Sequence, residues 1–183
     1  FVEFVKLSFI LKMKKLSNLI IGIGGNVNSS DGLHPIEVGK KAIVIMQSFS
    51  INVEKLSSWY VSEPIPKSVQ PNFFNCVVFA NTNLNELDVL EKLQLIEITL
   101  GRLRVNINEP RSIDLDLIDF DNKVSKSTSL ITPHPRAHLR RFVMEPIAEI
   151  YPLWVHPILK ISVQEILSKL KDQNIKIYDE EKI

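Results

Sequence analysis

The chain of 183 residues has one cysteine, Cys76, which excludes an internal disulfide and fits a reducing compartment. Cys76 sits inside the apolar run FNCVVFA and reads as a buried thiol rather than a reactive one. An excess of either charge is also missing. The formal net charge is +1, so no global basic field points to nucleic acid. No apolar run is long enough to cross a membrane. The opening FVEFVKLSFILKMKK is short, is broken by Glu3 and Lys6, and lacks the basic start and small-residue cleavage site of a signal peptide. Met13 before Lys14 and Lys15 reads as a natural start, which makes residues 1–15 a flank or upstream segment and the cytoplasm the expected address. What remains is ordinary: 45% hydrophobic and 23% charged residues suit one soluble globular domain.

Punctuation divides the chain. NLIIGIG at 18–24 reads as a buried strand stopped by Gly24 and Gly25, and residues 35–49 follow with helical spacing. Residues 52–61 alternate as a strand. Three prolines in EPIPKSVQP, 63–71, then forbid regular structure, and FFNCVVFA, 73–80, has the β-branched and aromatic residues of a strand. Leu87, Leu90, Leu93, Ile96 and Leu100 recur on one face of a helix at about 84–100. After a loop at 101–111, IDLDLIDF at 113–120 is a strand again. The order β-α-β-β-α-β predicts an α+β fold, a ferredoxin-like antiparallel sheet with helices packed on it. C-terminal helical additions are expected near 143–150 and 161–171. The domain then spans 16–171, and the polar residues 172–183 read as a tail or the start of a linker.

Arginine is absent from most of the chain. All six, Arg102, Arg104, Arg111, Arg136, Arg140 and Arg141, fall in one segment, and every other basic residue is lysine. The guanidinium fork binds phosphate bidentately where lysine offers a point charge. Within that segment lie Asp114 and Asp116, at i and i+2 of a strand, so both carboxylates face one side while Ile113, Leu115 and Leu117 enter the core. Like charges so placed repel unless a cation separates them, and hard oxygen ligands suit Mg²⁺. Structural ion pairs and a solvated strand face are the plainer alternatives. Glu97 falls inside the apolar arc of its helix and needs a partner such as Arg102 or Arg104. GIGGN is neither a dinucleotide fingerprint, since Val27 stands where a third glycine belongs, nor a P-loop. His134 and His138 lack a third soft ligand for zinc. Phe73, Asn75 and Phe142 could stack and read a flat heterocycle, although each phenylalanine alone suits a core equally well.

Six stretches in order, IGIGGN at 21–26, SSWYVSEPI at 57–65, QPNFFN at 70–75, IEITLGRLR at 96–104, NEPRSIDLDLI at 108–118 and TPHPRAHLRRFVMEPI at 132–147, closely resemble the 6-hydroxymethyl-7,8-dihydropterin pyrophosphokinases of folate biosynthesis. The resemblance implies transfer of the β,γ-pyrophosphoryl group of ATP to a reduced pterin, with AMP released. By position it implies that Asp114 and Asp116 bind two Mg²⁺ ions and that Phe73 and Phe142 sandwich the pterin. It also implies that Asn75 reads the ring edge and that the loop at Ser62 and Ile65 contacts the ring. Gln94, Glu97, His134 and Arg140 match ATP-side positions, and Arg102 and Arg111 match catalytic arginines along the triphosphate. Ser129 stands where some members have arginine, and loop 101–111 lacks their Trp-Gly. Loops 25–33, 62–71 and 101–111 are the candidate lids. The partners expected are ATP and the pterin, with no nucleic acid and no membrane, and with fusion to or action beside another folate-pathway enzyme. Two other classes use such a sheet. An RNA-binding module needs aromatics where IDLDLIDF puts carboxylates, and a palm-type nucleotidyltransferase has no use for two stacking phenylalanines.

Overall fold

The computed structural model describes residues 15–102 and 109–179. Strand β1 (Ser17–Gly25) lies at the middle of a sheet whose neighbours are β4 (Phe73–Thr82) on one side and β5 (Asp114–Phe120) on the other. Strands β2 (Ile51–Leu56) and β3 (Tyr60–Ser62) both run along the far edge of β4, and every pairing is antiparallel. Helix α1 (Pro35–Ser48) connects β1 to β2, and helix α2 (Glu86–Thr99) connects β4 to β5. That is the split βαβ arrangement the sequence order predicts.

The period-two alternation of β1 divides the molecule into layers. Leu19, Ile21 and Ile23 face α1 and α2, where they pack with Ala42, Met46, Leu93 and Ile96. Ile20 faces the other side, with Val77, Ile118, Met144, Ile147 and Trp154. That second core is closed by α3 (Arg141–Ile150) and α4 (Val163–Ser168), the C-terminal helical additions. Helix α1 carries Ile36, Val38, Ile43, Val44 and Ile45, whose β-branched side chains favour helix weakly. Its ends and its burial hold it instead. His34 Nδ1 accepts from the Ile36 N–H at 3.3 Å, Glu37 bonds back to the His34 N–H at 2.9 Å, and Pro35 occupies the first turn. Cys76 is 1% exposed, and burial pushes its thiol well above the ordinary value. A thiol reagent is therefore expected to leave the folded protein unmodified and to react once denaturant opens it. Rapid labelling of the native protein would contradict this packing.

Three elements differ from the sequence reading. The strand expected at 52–61 is broken at residues 57–59. There the Ser57 hydroxyl accepts from the Val77 N–H at 3.0 Å in place of a ladder carbonyl, and the Ser58 N–H and hydroxyl both turn to Glu149, each at 2.9 Å. On α2, Leu87 is 53% exposed and Val89 is fully buried. Apolar residues ring most of that helix, so spacing leaves the docking arc open and packing on β5 and α1 selects it. The third difference is the polar tail. Ile175–Ile177 forms a further strand beside β3, pairing Tyr60 with Ile177 and Ser62 with Ile175. Here it is β8, since two-residue strands β6 (Ser125–Lys126) and β7 (Ile131–Thr132) form a separate ladder after β5. Three residues give too short an alternation to stand out among Lys, Asp and Glu, and the backbone bonds of an open sheet edge supply what the side chains do not. Among the described residues no helix is long and apolar enough to cross a membrane.

Candidate active site

A cleft of about 820 Å³ opens on the α3 side of the sheet. Its floor is two rows of residues that lie side by side across three strands. Asn75 on β4 is opposite Gly24 on β1, which is opposite Asp114 on β5; Val77, Gly22 and Asp116 make the next row. Antiparallel partners share a face, so the carboxylates and the amide point into the same space, about 10 Å apart across two strand spacings. The glycines between them keep that space open. A Cβ at Gly24 would sit 3.1 Å from Asn75 Oδ1, tighter than nearly all such contacts.

At the β5 end the charges are interlocked. Arg102 bonds both Glu97 and Asp114, the latter at 2.5 Å. Arg111 reaches the other Asp114 oxygen through Nε at 2.8 Å and Nη2 at 2.6 Å. Glu97 is 1% exposed and also accepts the Leu115 N–H at 2.7 Å, which ties the end of α2 to β5. Its structural role is clear: it anchors Arg102 from beneath the cleft. Asp116 has looser company. His134 Nε2 and an Arg140 nitrogen are each 4.0 Å from its carboxylate. Burial in the cleft, then the charge of Asp114, raise its pKa above the ordinary carboxylate value. Burial lowers the pKa of His134 against the pull of Asp116. Its Nδ1 accepts the Arg136 N–H at 3.2 Å, so the neutral ring carries its proton on the nitrogen facing Asp116.

At the β4 end the lining turns aromatic and amide. The Asn75 side chain donates to the Ser62 hydroxyl at 3.0 Å, which fixes which way the amide faces. Phe73 and Phe142 both line the cleft, with Arg111 over the first ring at 5.1 Å and Arg140 over the second at 5.6 Å. Between the two ends sits Asn26, whose side chain donates to Gln70 at 3.1 Å and accepts the Arg111 N–H at 2.9 Å. The glycine-rich GIGGN is therefore a structural junction. A Cβ at Gly25 would lie 2.4 Å from the Ser112 carbonyl, so only glycine lets β1 approach the segment carrying Arg111 this closely.

Of the thirteen site residues expected from sequence, Ser62, Ile65, Phe73, Asn75, Arg102, Arg111, Asp114, Asp116, His134, Arg140 and Phe142 line this cleft. Gln94 is exposed on α2 and Glu97 is buried below the floor, so neither reaches the cavity wall. Of the six clustered arginines, Arg136 is a further lining residue, while Arg141 pairs with Glu145 at 2.9 Å along α3. Arg104 and most of loop 101–111 lie outside the described residues. Ser129 is exposed and is not among the lining residues. Sequence reading missed Gln70 and the floor glycines as a set; the repeat Gly22-x-Gly24 opposite Asp-x-Asp was the available signal.

The pair Asp114 and Asp116 fits a hard divalent cation. Two carboxylate groups share one face, and at Asp116 the neutral His134 ring and the Arg140 guanidinium both stand 4.0 Å off, too far to satisfy it. Among the described residues no group of three or more His, Cys, Asp or Glu could hold a metal, so water or substrate phosphate would have to complete the shell.

The chain is an α+β domain of split βαβ topology whose one cleft gathers an acidic pair, arginines, two phenylalanines and an amide. More particularly, residues 20–152 match the family model of 7,8-dihydro-6-hydroxymethylpterin-pyrophosphokinase (HPPK), and the chain belongs to that family. It is 36% identical over 139 residues to the 2-amino-4-hydroxy-6-hydroxymethyldihydropteridine pyrophosphokinase of Synechocystis, covering 75% of this chain and 68% of that one. It is 41% identical over 135 residues to the folic acid synthesis protein fol1 of Pneumocystis carinii, covering 74% of this chain but only 18% of that protein's length. Among solved structures, Plasmodium falciparum HPPK-DHPS shares the fold with a TM-score of 0.70 at 13% identity, over 91% of this chain and 49% of that one.

Proposed function

We propose that this chain transfers the pyrophosphoryl group of ATP to the hydroxymethyl group of 6-hydroxymethyl-7,8-dihydropterin and releases AMP. The observation that carries the reading is the two-ended cleft. Asp114 and Asp116 stand on β5 with Arg102 and Arg111 bonded to Asp114, Phe73 and Asn75 stand on β4 with Phe142 on α3 lining the same cleft, and glycine lies between the strands. Phe73 and Phe142 stack the pterin, while Asn75, held by Ser62, reads its edge. The reacting hydroxyl then faces the β5 end, where Arg102 and Arg111 orient the triphosphate and stabilise charge that grows on the leaving AMP. Two Mg²⁺ ions, held by Asp114 and Asp116, supply phosphate clamping and Lewis acidity when bound. Loop 62–71 lines the cleft and is the part that excludes water on closure. Fusion to a second folate enzyme, as the length of fol1 illustrates, suits a domain whose product feeds another reaction.

Two measurements test this reading. Incubation with ATP, Mg²⁺ and the pterin is expected to form AMP only when the pterin is present; ADP or free pyrophosphate as the product would reject it. Asn75→Ala is expected to weaken pterin binding by about 1–3 kcal/mol, the cost of leaving the ring's polar edge unpaired. ATP binding should hardly change. Calorimetry that found ATP weakened and the pterin unaffected would overturn the pocket assignment.

A further inference from the structure

Residues 20–152 carry the family match, yet the cleft is braced from beyond them. The side-chain amide of Gln173 makes two bonds to the turn that enters α3. Its Oε1 accepts the Arg141 N–H at 2.8 Å, and its Nε2 donates to the Leu139 carbonyl at 2.8 Å. The residue between, Arg140, is extended, with φ −123° and ψ 109°. An amide that bonds the carbonyl before a residue and the N–H after it does what a neighbouring parallel strand would do. It also supplies a cap that α3 otherwise lacks, because Arg140 offers no side-chain cap to the first turn.

The consequence lies in the cleft. Fixing the backbone at Arg140 sets the direction of its side chain, which stands 4.0 Å from Asp116 and 5.6 Å over the ring of Phe142. Two residues after Gln173, β8 pairs Ile175 with Ser62, whose hydroxyl holds Asn75. One short segment therefore grips both walls of the cleft. We propose that Gln173 is a positioning residue for the transfer reaction, acting through Arg140 and Phe142. The inference rests on the reading of those two side chains as substrate contacts.

Two variants separate positioning from plain stability. Gln173→Ala removes both bonds and is expected to lower kcat/KM by roughly 10- to 100-fold, the scale of a small misplacement of a substrate-positioning group. Gln173→Glu still accepts the Arg141 N–H and places negative charge at the start of α3, which partly offsets the lost Leu139 bond, so its melting temperature falls less than that of Gln173→Ala. It cannot donate to Leu139, so its kcat/KM should still fall, with KM for the pterin and ATP rising more than kcat drops. If Gln173 served stability alone, Gln173→Glu would match the unsubstituted protein in both constants, and that result overturns the proposal. Calorimetry of Mg·ATP binding without pterin keeps the two readings distinguishable. A protein that makes no AMP rejects the activity, whereas ATP affinity equal in all three proteins rejects the role of Gln173.

Discussion

Asp116→Asn is expected to lose turnover by orders of magnitude while the fold, measured without Mg²⁺, becomes as stable as before or more so. The two effects have one origin. Asp116 sits in a cleft that disfavours its charge, opposite Asp114 on the same strand face, and its pKa is raised for those reasons in that order. A carboxylate whose folded pKa lies above its unfolded value binds its proton more tightly in the native state. Its ionisation therefore costs stability, and the cost appears as pH rises through the folded pKa. The asparagine variant avoids that cost at neutral pH. Its advantage should vanish as pH falls below the unfolded carboxylate value of about 3.9. A structural Asp116 would instead give a less stable variant at neutral pH, and an idle one on a solvated face would leave turnover unchanged. Melting curves at pH 7 and pH 3.5, beside AMP release at saturating substrates, separate the three.

Arg111→Ala is expected to lower kcat by roughly 10²- to 10³-fold, the loss typical of removing one donor aimed at developing negative charge. Arg111 holds Asp114 through two nitrogens and covers the ring of Phe73. As a mere ion pair its removal would leave turnover alone. Its side chain is 25% exposed, and Arg102 still holds the other oxygen of Asp114 after the change, so little stability is at risk. Lysine should rescue only partly, because a point charge does not reproduce the fork. Full activity in Arg111→Ala would return this arginine to the structural ion pairs, where Arg141 belongs.

The sequence reading reached the β5 end of the site because the signals there are compositional. Arginine confined to one segment and aspartate repeated within a strand both oppose local expectation, and such opposition marks function. The α-β order was legible through strand and helix periods of ordinary length. The misses have physical causes. Ser57 supplies a side-chain acceptor where a strand needs a carbonyl, and no alternation rule registers that. Strand β8 gains its place from an open edge beside β3 rather than from its own residues. Asn26 and Gln173 act through bonds to backbone groups 85 and 32 residues away, and a side-chain amide at such separations leaves no trace in spacing. Phe73 and Phe142 were ambiguous singly, and spacing alone could not show that β4 and α3 bring both to one cleft.

The central claim is that the hydroxyl of the pterin attacks the β-phosphorus of ATP in this cleft. ATP labelled with ³²P at the β position tests it most directly. With Mg²⁺ and 6-hydroxymethyl-7,8-dihydropterin, the label is expected to pass into the pterin product, leaving AMP unlabelled. Label recovered in ADP or in free pyrophosphate would contradict the account.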